Sequence, residues 1–205
     1  MADLLTFYNS SPNLKLLKQV AAVLNKGGLI IYPTDTVYAM GCLSNQIKAL
    51  NRLAQIKEVK LEKASFSFIL KDFTELTKYT RPISNSNFKI LKRCLPGPYT
   101  FLLPSVKLSK PFEKKSTIGI RISDHPILLA LLDLLEAPLI TTSIHDADKI
   151  IDYTTDPDEI FENWESKIDL MMDCGFGGNI PSTIVNLCEV EVKIEREGKG
   201  DMSLI

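Results

Sequence analysis

A glycine pair followed by a short apolar run and a proline leaves this chain few options between residues 27 and 38. Gly27 and Gly28 end the preceding element, Leu29 to Tyr32 reads as a short buried strand, and Pro33 stops it because proline cannot donate to a strand ladder. Thr34, Asp35, Thr36 and Tyr38 follow at once. Hydroxyls and a carboxylate bunched at a strand's end suit a loop that holds a ligand. The same residues suit an Asx or Ser/Thr turn that satisfies its own backbone.

On either side of this stretch the hydrophobic spacing defines alternating helices and strands. Ser11-Pro12 resembles a helix N-cap with proline in the first position, and Leu14, Leu17, Val20, Ala21 and Leu24 follow at helical spacing. A second helix is expected from Ser44 or Asn45, with Ile47, Leu50, Leu53 and Ala54 inward, then a charged connector from Lys57 to Lys63. Phe66 to Leu70 reads as a strand, Asp72 and Glu75 as a capping arrangement for a short helix, and Ser84 to Arg93 as another helix. Strands are expected at Tyr99 to Leu103, Thr117 to Ile122, Leu139 to Thr142, Ile168 to Met172, Thr183 to Asn186 and Val190 to Ile194. Pro126 opens an apolar helix through Leu135, the segment from Asp146 to Asp156 reads as a loop, and Asp156-Pro157 opens one more helix. Strands and helices interleave without strict alternation, which favours a mixed sheet covered by helices.

With 205 residues the chain fits one domain with a substantial core. A net charge of -1 supplies no overall pull toward nucleic acid or an anionic membrane, so any such attraction must be local. Cys42, Cys94, Cys174 and Cys188 form no Cys-x-x-Cys pair and read as free thiols. Met-Ala-Asp-Leu-Leu does not resemble a signal peptide and no apolar run approaches membrane-spanning length, so a cytoplasmic protein is expected. There is no Gly-x-Ser-x-Gly elbow, P-loop or Gly-x-Gly-x-x-Gly loop, and His125 and His145 are too few for a histidine metal centre. His125 reads as a helix-entry residue before Pro126. Arg121, inside an apolar strand, is either a snorkelling edge residue or a fixed cation for a carboxylate or phosphate. The lysine runs at 57–63 and 107–115 are solvated connectors or phosphate-facing.

Six stretches in order carry a resemblance: Tyr32-Pro-Thr-Asp-Thr-Val-Tyr-Ala-Met-Gly41, Leu95-Pro-Gly-Pro-Tyr-Thr100, Ile118-Gly-Ile-Arg-Ile122, Thr142-Ser143, Pro181-Ser-Thr-Ile-Val185 and Arg196-Glu-Gly198. Together they resemble the YrdC-like family, whose enzyme members are L-threonylcarbamoyladenylate synthases of tRNA modification. The resemblance implies a single α/β domain over 1–205, with a core of about 12–198 and a short tail at 199–205. It implies an open, twisted, mixed β-sheet with flanking helices and a large concave pocket. It also implies a nucleotidyl transfer: L-threonine and bicarbonate form a carbamate whose oxygen attacks the α-phosphorus of ATP and releases pyrophosphate, on the way to N6-threonylcarbamoyladenosine in tRNA. ATP with Mg²⁺ would be a substrate complex, with no tightly bound cofactor and no metal held by the protein. Carried onto this chain, Thr34, Tyr38, Arg121 and Ser182 would hold threonine. Lys57, Lys60, Ser143, His145 and Arg196 would face the nucleotide, and Lys57 and Arg121 would act in catalysis.

Two departures qualify the transfer. The synthases carry Lys-x-Arg where this chain reads Lys57-Glu58-Val59, and Ser-x-Asn where it reads Ser143-Ile144-His145. A guanidinium missing from a triphosphate site removes stabilisation on the order of a few kcal/mol in the transition state. Lys60 replaces its charge but not its geometry. This pattern resembles the YciO-like branch, which keeps the fold with a degenerate nucleotide signature. An alternative is a non-catalytic protein of the same fold that binds double-stranded RNA, tRNA or a nucleotide, using the lysine connectors as a basic rim.

Overall fold

Residues 1–8, 12–144 and 153–205 are described by the structure, a computed structural model. In chain order its strands are β1 (Asp3–Thr6), β2 (Ile30–Tyr32), β3 (Ala39–Leu43), β4 (Ser67–Ile69), β5 (Tyr99–Pro104), β6 (Thr117–Arg121), β7 (Leu139–Ser143), β8 (Leu170–Asp173), β9 (Thr183–Asn186) and β10 (Lys193–Arg196). Its helices are α1 (Leu14–Asn25), α2 (Ile47–Ile56), α3 (Leu76–Tyr79), α4 (Asn85–Cys94), α5 (Pro126–Leu132) and α6 (Pro157–Trp164). The strands form one open, mixed sheet in the order β1-β8-β2-β3-β7-β4-β6-β5-β9-β10. β1–β8, β2–β8, β4–β6 and β5–β9 run parallel, and the other neighbours antiparallel.

Local rules explain most of these elements. In α1, Asn13 caps the start by accepting from the amides of Lys15 and Leu16, and Gly27 at φ 84° lets the chain leave the helix. Leu17, Val20, Ala21 and Leu24 form its buried stripe. The expected Ser11-Pro12 start is not used: Ser11 lies outside the described residues and Pro12 precedes the cap. Ser84, Asp72 and Asp156 each cap the element that follows.

Several elements depart from expectation. β3 was hidden in a stretch that reads as loop, because all five residues are buried and no alternation marks them. Its Gly41 is dictated by a neighbour, since a Cβ there would lie 2.5 Å from the Ile140 carbonyl oxygen. β1 is an exposed edge strand that exists through parallel pairing with β8, which local pattern does not disclose. α5 stops at Leu132 rather than Leu135, Ile47 is exposed while Ala49 takes the buried place, and the last strand covers Lys193–Arg196 instead of 190–194. Arg196 therefore belongs to the sheet.

Side-chain parity sends each strand's residues to two faces. On one face α1 and α5 cover Ile30, Tyr32, Leu43, Ile69, Leu139, Leu170 and Met172. On the other, Ile31, Cys42, Phe68, Phe101, Ile120, Ile140 and Met171 pack in a core with α2 residues Leu50 and Leu53. No helix among the described residues is long and apolar enough to cross a membrane.

Candidate active site

The face that α1 and α5 cover continues toward β9 with no helical cover among the described residues, and there its residues turn polar. Ser67, Thr100, Arg121, Thr141, Ser143, Ser182 and Arg196 line one cleft of about 150 Å³. Register explains the grouping: Ser67 lies opposite Thr141 on one side and Gly119 on the other, while Arg121 lies opposite Ile69. Gly119 leaves room for this packing, because a Cβ would meet the Ser67 hydroxyl at 2.6 Å and force it to turn away.

Arg121 is the central group. Its side chain is 8% exposed, and its Nη2 donates to Asp35 Oδ1 at 3.0 Å and Thr36 Oγ1 at 3.1 Å. Asp35, 6% exposed, also accepts from the Ser123 hydroxyl at 2.6 Å. Arg121 Nε is buried with no partner among the described residues. Of the two sequence readings, the fixed cation holds, for this guanidinium is buried and oriented. The residue that orients it, Asp35, was visible in the sequence only as one polar member of a loop.

Arg196 reaches the same cleft from β10. Its Nε and Nη2 donate to the Ser182 carbonyl at 3.0 and 2.8 Å, and Nη2 also reaches Ser182 Oγ at 3.2 Å. Burial lowers its pKa; Tyr153 opposes this, and the nearby Arg121 charge adds to it. Ser182 Oγ shares a 2.8 Å hydrogen bond with Thr100 Oγ1. Gly198 allows the chain after Arg196 to fold back on this corner, since a Cβ would lie 2.3 Å from the Pro181 carbonyl oxygen. Thr183 Oγ1 then accepts from the amides of Gly198 and Gly200.

Thr34 and Tyr38 line a second cavity, of about 170 Å³, beside the first. The Thr34 hydroxyl donates to the Val37 carbonyl at 2.7 Å and accepts from the Thr36 amide at 3.1 Å, so the loop is also a Ser/Thr turn. The Tyr38 hydroxyl accepts from the Cys174 amide and donates to the Gly175 carbonyl, which anchors the glycine turn at 174–178. Lys57 Nζ donates to the Ser143 carbonyl at 3.4 Å, and burial lowers its pKa. Lys60 is exposed, and His145 lies outside the described residues. No cluster of three His, Cys, Asp or Glu side chains suited to a metal occurs among the described residues.

Period-two alternation could have found more of the cleft. Thr141 shares a face with Ser143, and Ser67 alternates with the buried Phe66 and Phe68. What alternation cannot tell is which strands are neighbours.

An open mixed sheet with helices on its faces and two guanidinium groups in one polar recess defines a class of α/β fold with a polar cleft built on its sheet. The Sua5/YciO/YrdC family model, described as telomere recombination, matches residues 22–198, and the chain belongs to that family. It is 34% identical over 203 residues to an uncharacterized protein of Haemophilus influenzae, covering 98% of this chain and 97% of that protein. It is 32% identical over 206 residues to YciO of Escherichia coli, covering 98% of each. The crystal structure of E. coli YciO superposes with a TM-score of 0.91, covering 100% of this chain and 99% of that one. A threonylcarbamoyl-AMP synthase of Nitrosococcus oceani is 32% identical over 140 residues, 67% of this chain and 75% of the synthase. P. abyssi Sua5, crystallised with L-threonine, shares the fold at a TM-score of 0.83 and 23% identity, covering 97% of this chain and 57% of that one.

Proposed function

We propose that the protein binds L-threonine in the Arg121 cleft and forms threonylcarbamoyl-AMP from threonine, bicarbonate and the ATP–Mg²⁺ complex. The observation that carries this reading is the meeting of Arg121, Ser143, Ser182 and Arg196 in one cleft, delivered by four different strands or strand ends. The N. oceani synthase and the threonine complex of P. abyssi Sua5 support the same chemistry in the family.

In this reading the buried Arg121 guanidinium holds the threonine carboxylate through the donors that Asp35 and Thr36 leave free. Ser182 lies next to the amino acid. Threonine's amine and bicarbonate condense to a carbamate with loss of water. A carbamate oxygen attacks the α-phosphorus of ATP, and pyrophosphate leaves. The transition state gathers negative charge, so the chain contributes position and fixed cations rather than a nucleophile. Arg196, braced by the Ser182 carbonyl, faces the phosphates. Lys57 joins it by leaving the Ser143 carbonyl. Mg²⁺ arrives on the triphosphate. With Val59 in place of a guanidinium and Lys60 exposed, ATP is held more weakly than threonine.

Pyrophosphate release should require threonine, bicarbonate and ATP–Mg²⁺ together, and Val59→Arg should raise the apparent ATP affinity. Absence of release, together with absence of a threonine-induced thermal shift, would sink the proposal. A threonine-induced shift without release would leave a threonine-binding protein and remove the transfer step.

A further inference from the structure

The stretch from Leu95 to Thr100 carries part of the family resemblance, yet no step of the proposed chemistry uses it. It runs into β5, the strand that lies between β6, which carries Arg121, and β9, which Ser182 precedes. Three of its groups bond at the cleft residues or one position beyond them. The Gly97 amide donates to the Ile122 carbonyl at 2.9 Å, one residue past Arg121. The Pro98 carbonyl accepts from the Thr183 amide at 3.0 Å, one residue past Ser182. Thr100 Oγ1 meets Ser182 Oγ itself at 2.8 Å.

Side-chain shape and proton counting set the last of these apart from an ordinary bond between strands. Thr100 is buried, and its methyl group lies toward β6, 3.4 Å from where a Gly119 Cβ would stand. A β-branched side chain wedged in this way has little χ1 freedom, so its hydroxyl is kept toward Ser182. Ser182 Oγ also accepts from Arg196 Nη2 at 3.2 Å. The two hydroxyls hold two protons, and their mutual bond uses one of them whichever atom donates. The other proton has no acceptor among the described residues, and both side chains line the cleft. A guanidinium offers no lone pair and the spare proton can only be donated, so this corner suits an anionic oxygen.

We propose that Thr100 is a positioning residue of the cleft: it holds the Ser182 hydroxyl to which Arg196 donates, and it commits the pair's remaining proton to an anionic oxygen of the ligand. The part that concerns the ligand rests on the threonine reading above, and the part that concerns Arg196 does not.

The test compares the parent chain with Thr100→Val, which keeps the shape and loses the hydroxyl, and with Thr100→Ser, which keeps the hydroxyl. Chemical unfolding first shows that each variant folds; if the valine variant does not, Thr100→Ala, which also lacks the hydroxyl and adds no bulk, replaces it. In the ¹⁵N-labelled protein the guanidinium signals of the five arginines are recorded, and Arg196→Lys identifies those of Arg196. Loss of the hydroxyl should move the Arg196 signals and speed their hydrogen exchange, and Thr100→Ser should hold them near the parent positions. Threonine affinity, read by calorimetry, should fall about tenfold in Thr100→Val, the equivalent of one lost hydrogen bond, and Thr100→Ser should restore most of it. In a Ser182→Ala background, Thr100→Val should change the affinity no further. A merely structural bond between strands predicts a lower unfolding free energy with Arg196 signals and threonine affinity as in the parent, and that result overturns the proposal. So does a serine variant as impaired as the valine one, or a further loss of affinity in the Ser182→Ala background. Absence of threonine binding by the parent chain removes the function proposed above, and the Arg196 signals then decide by themselves whether Thr100 positions the cleft.

Discussion

One face of the sheet is put to two uses, and the change happens within single strands. In β4 and β7, Ile69 and Leu139 lie under the helices, while Ser67 and Thr141, two residues away on the same face, line the cleft. Tyr32 stands at the border: its ring belongs to the helix-covered core, and its hydroxyl donates to Thr141 Oγ1 at 2.7 Å. Burial pushes the Tyr32 pKa up, so the group stays a neutral donor. Where α1 and α5 lie over the sheet, stability is built from apolar area. Where no helix among the described residues covers it, a hydroxyl and guanidinium surface remains, held by paired polar groups. The contrast teaches that the cleft is the uncovered continuation of the core rather than a separate module.

Breaking the polar half at its centre should have the largest effect. Arg121→Ala leaves Asp35 buried without its cation, and a loss of about 3–5 kcal/mol is expected in urea unfolding. The same variant should lose any threonine-induced thermal shift. A small stability loss with the shift intact would show that Arg121 is not the pivot of the cleft. In the helix-covered half, Leu131→Ala removes a fully buried side chain and should cost about 2–5 kcal/mol, with threonine binding unchanged once folding is accounted for. An effect on binding there would erase the distinction between the halves. Tyr32→Phe tests the border and should cost about 1 kcal/mol, since it removes one buried hydrogen bond and keeps the ring.

The smallest expected effect depends on pH. Because burial depresses the pKa of folded His125 below the ordinary imidazole value of about 6.5, the unfolded chain binds the proton more readily as pH falls through that value. Its contribution to stability is therefore present above that pH and is lost toward acid. Unfolding free energies at pH 7.5 and 5.5 should converge in His125→Phe relative to the parent chain. An unchanged difference would place the acid sensitivity on other groups.

Much of this architecture was legible locally. The stripe of α1, the caps at Asp72, Ser84 and Asp156, the proline starts of α5 and α6, and the alternation in β6 all follow from neighbours a few residues apart. Arg121, Ser143, Ser182 and Arg196 were placed in one hollow by the resemblance, and they line one cleft. Thr34 and Tyr38 line the cavity next to it, with hydroxyls committed to the turn and to the 174–178 loop. β3 escaped because a strand buried on both faces lacks period-two alternation. β1 escaped because its partner strand is 167 residues away.

Residue order by itself determined the mixed helix-and-strand character, the apolar stripes and the polar loop after Pro33, because these rest on short-range sterics and spacing. Only the tertiary structure decided that Arg121 meets Asp35 across 86 residues, that Tyr32 meets Thr141 across 109, and where the helices stop covering the sheet. Such pairings depend on strand order and register. Those are settled by the burial of the whole sheet, and no local preference records them.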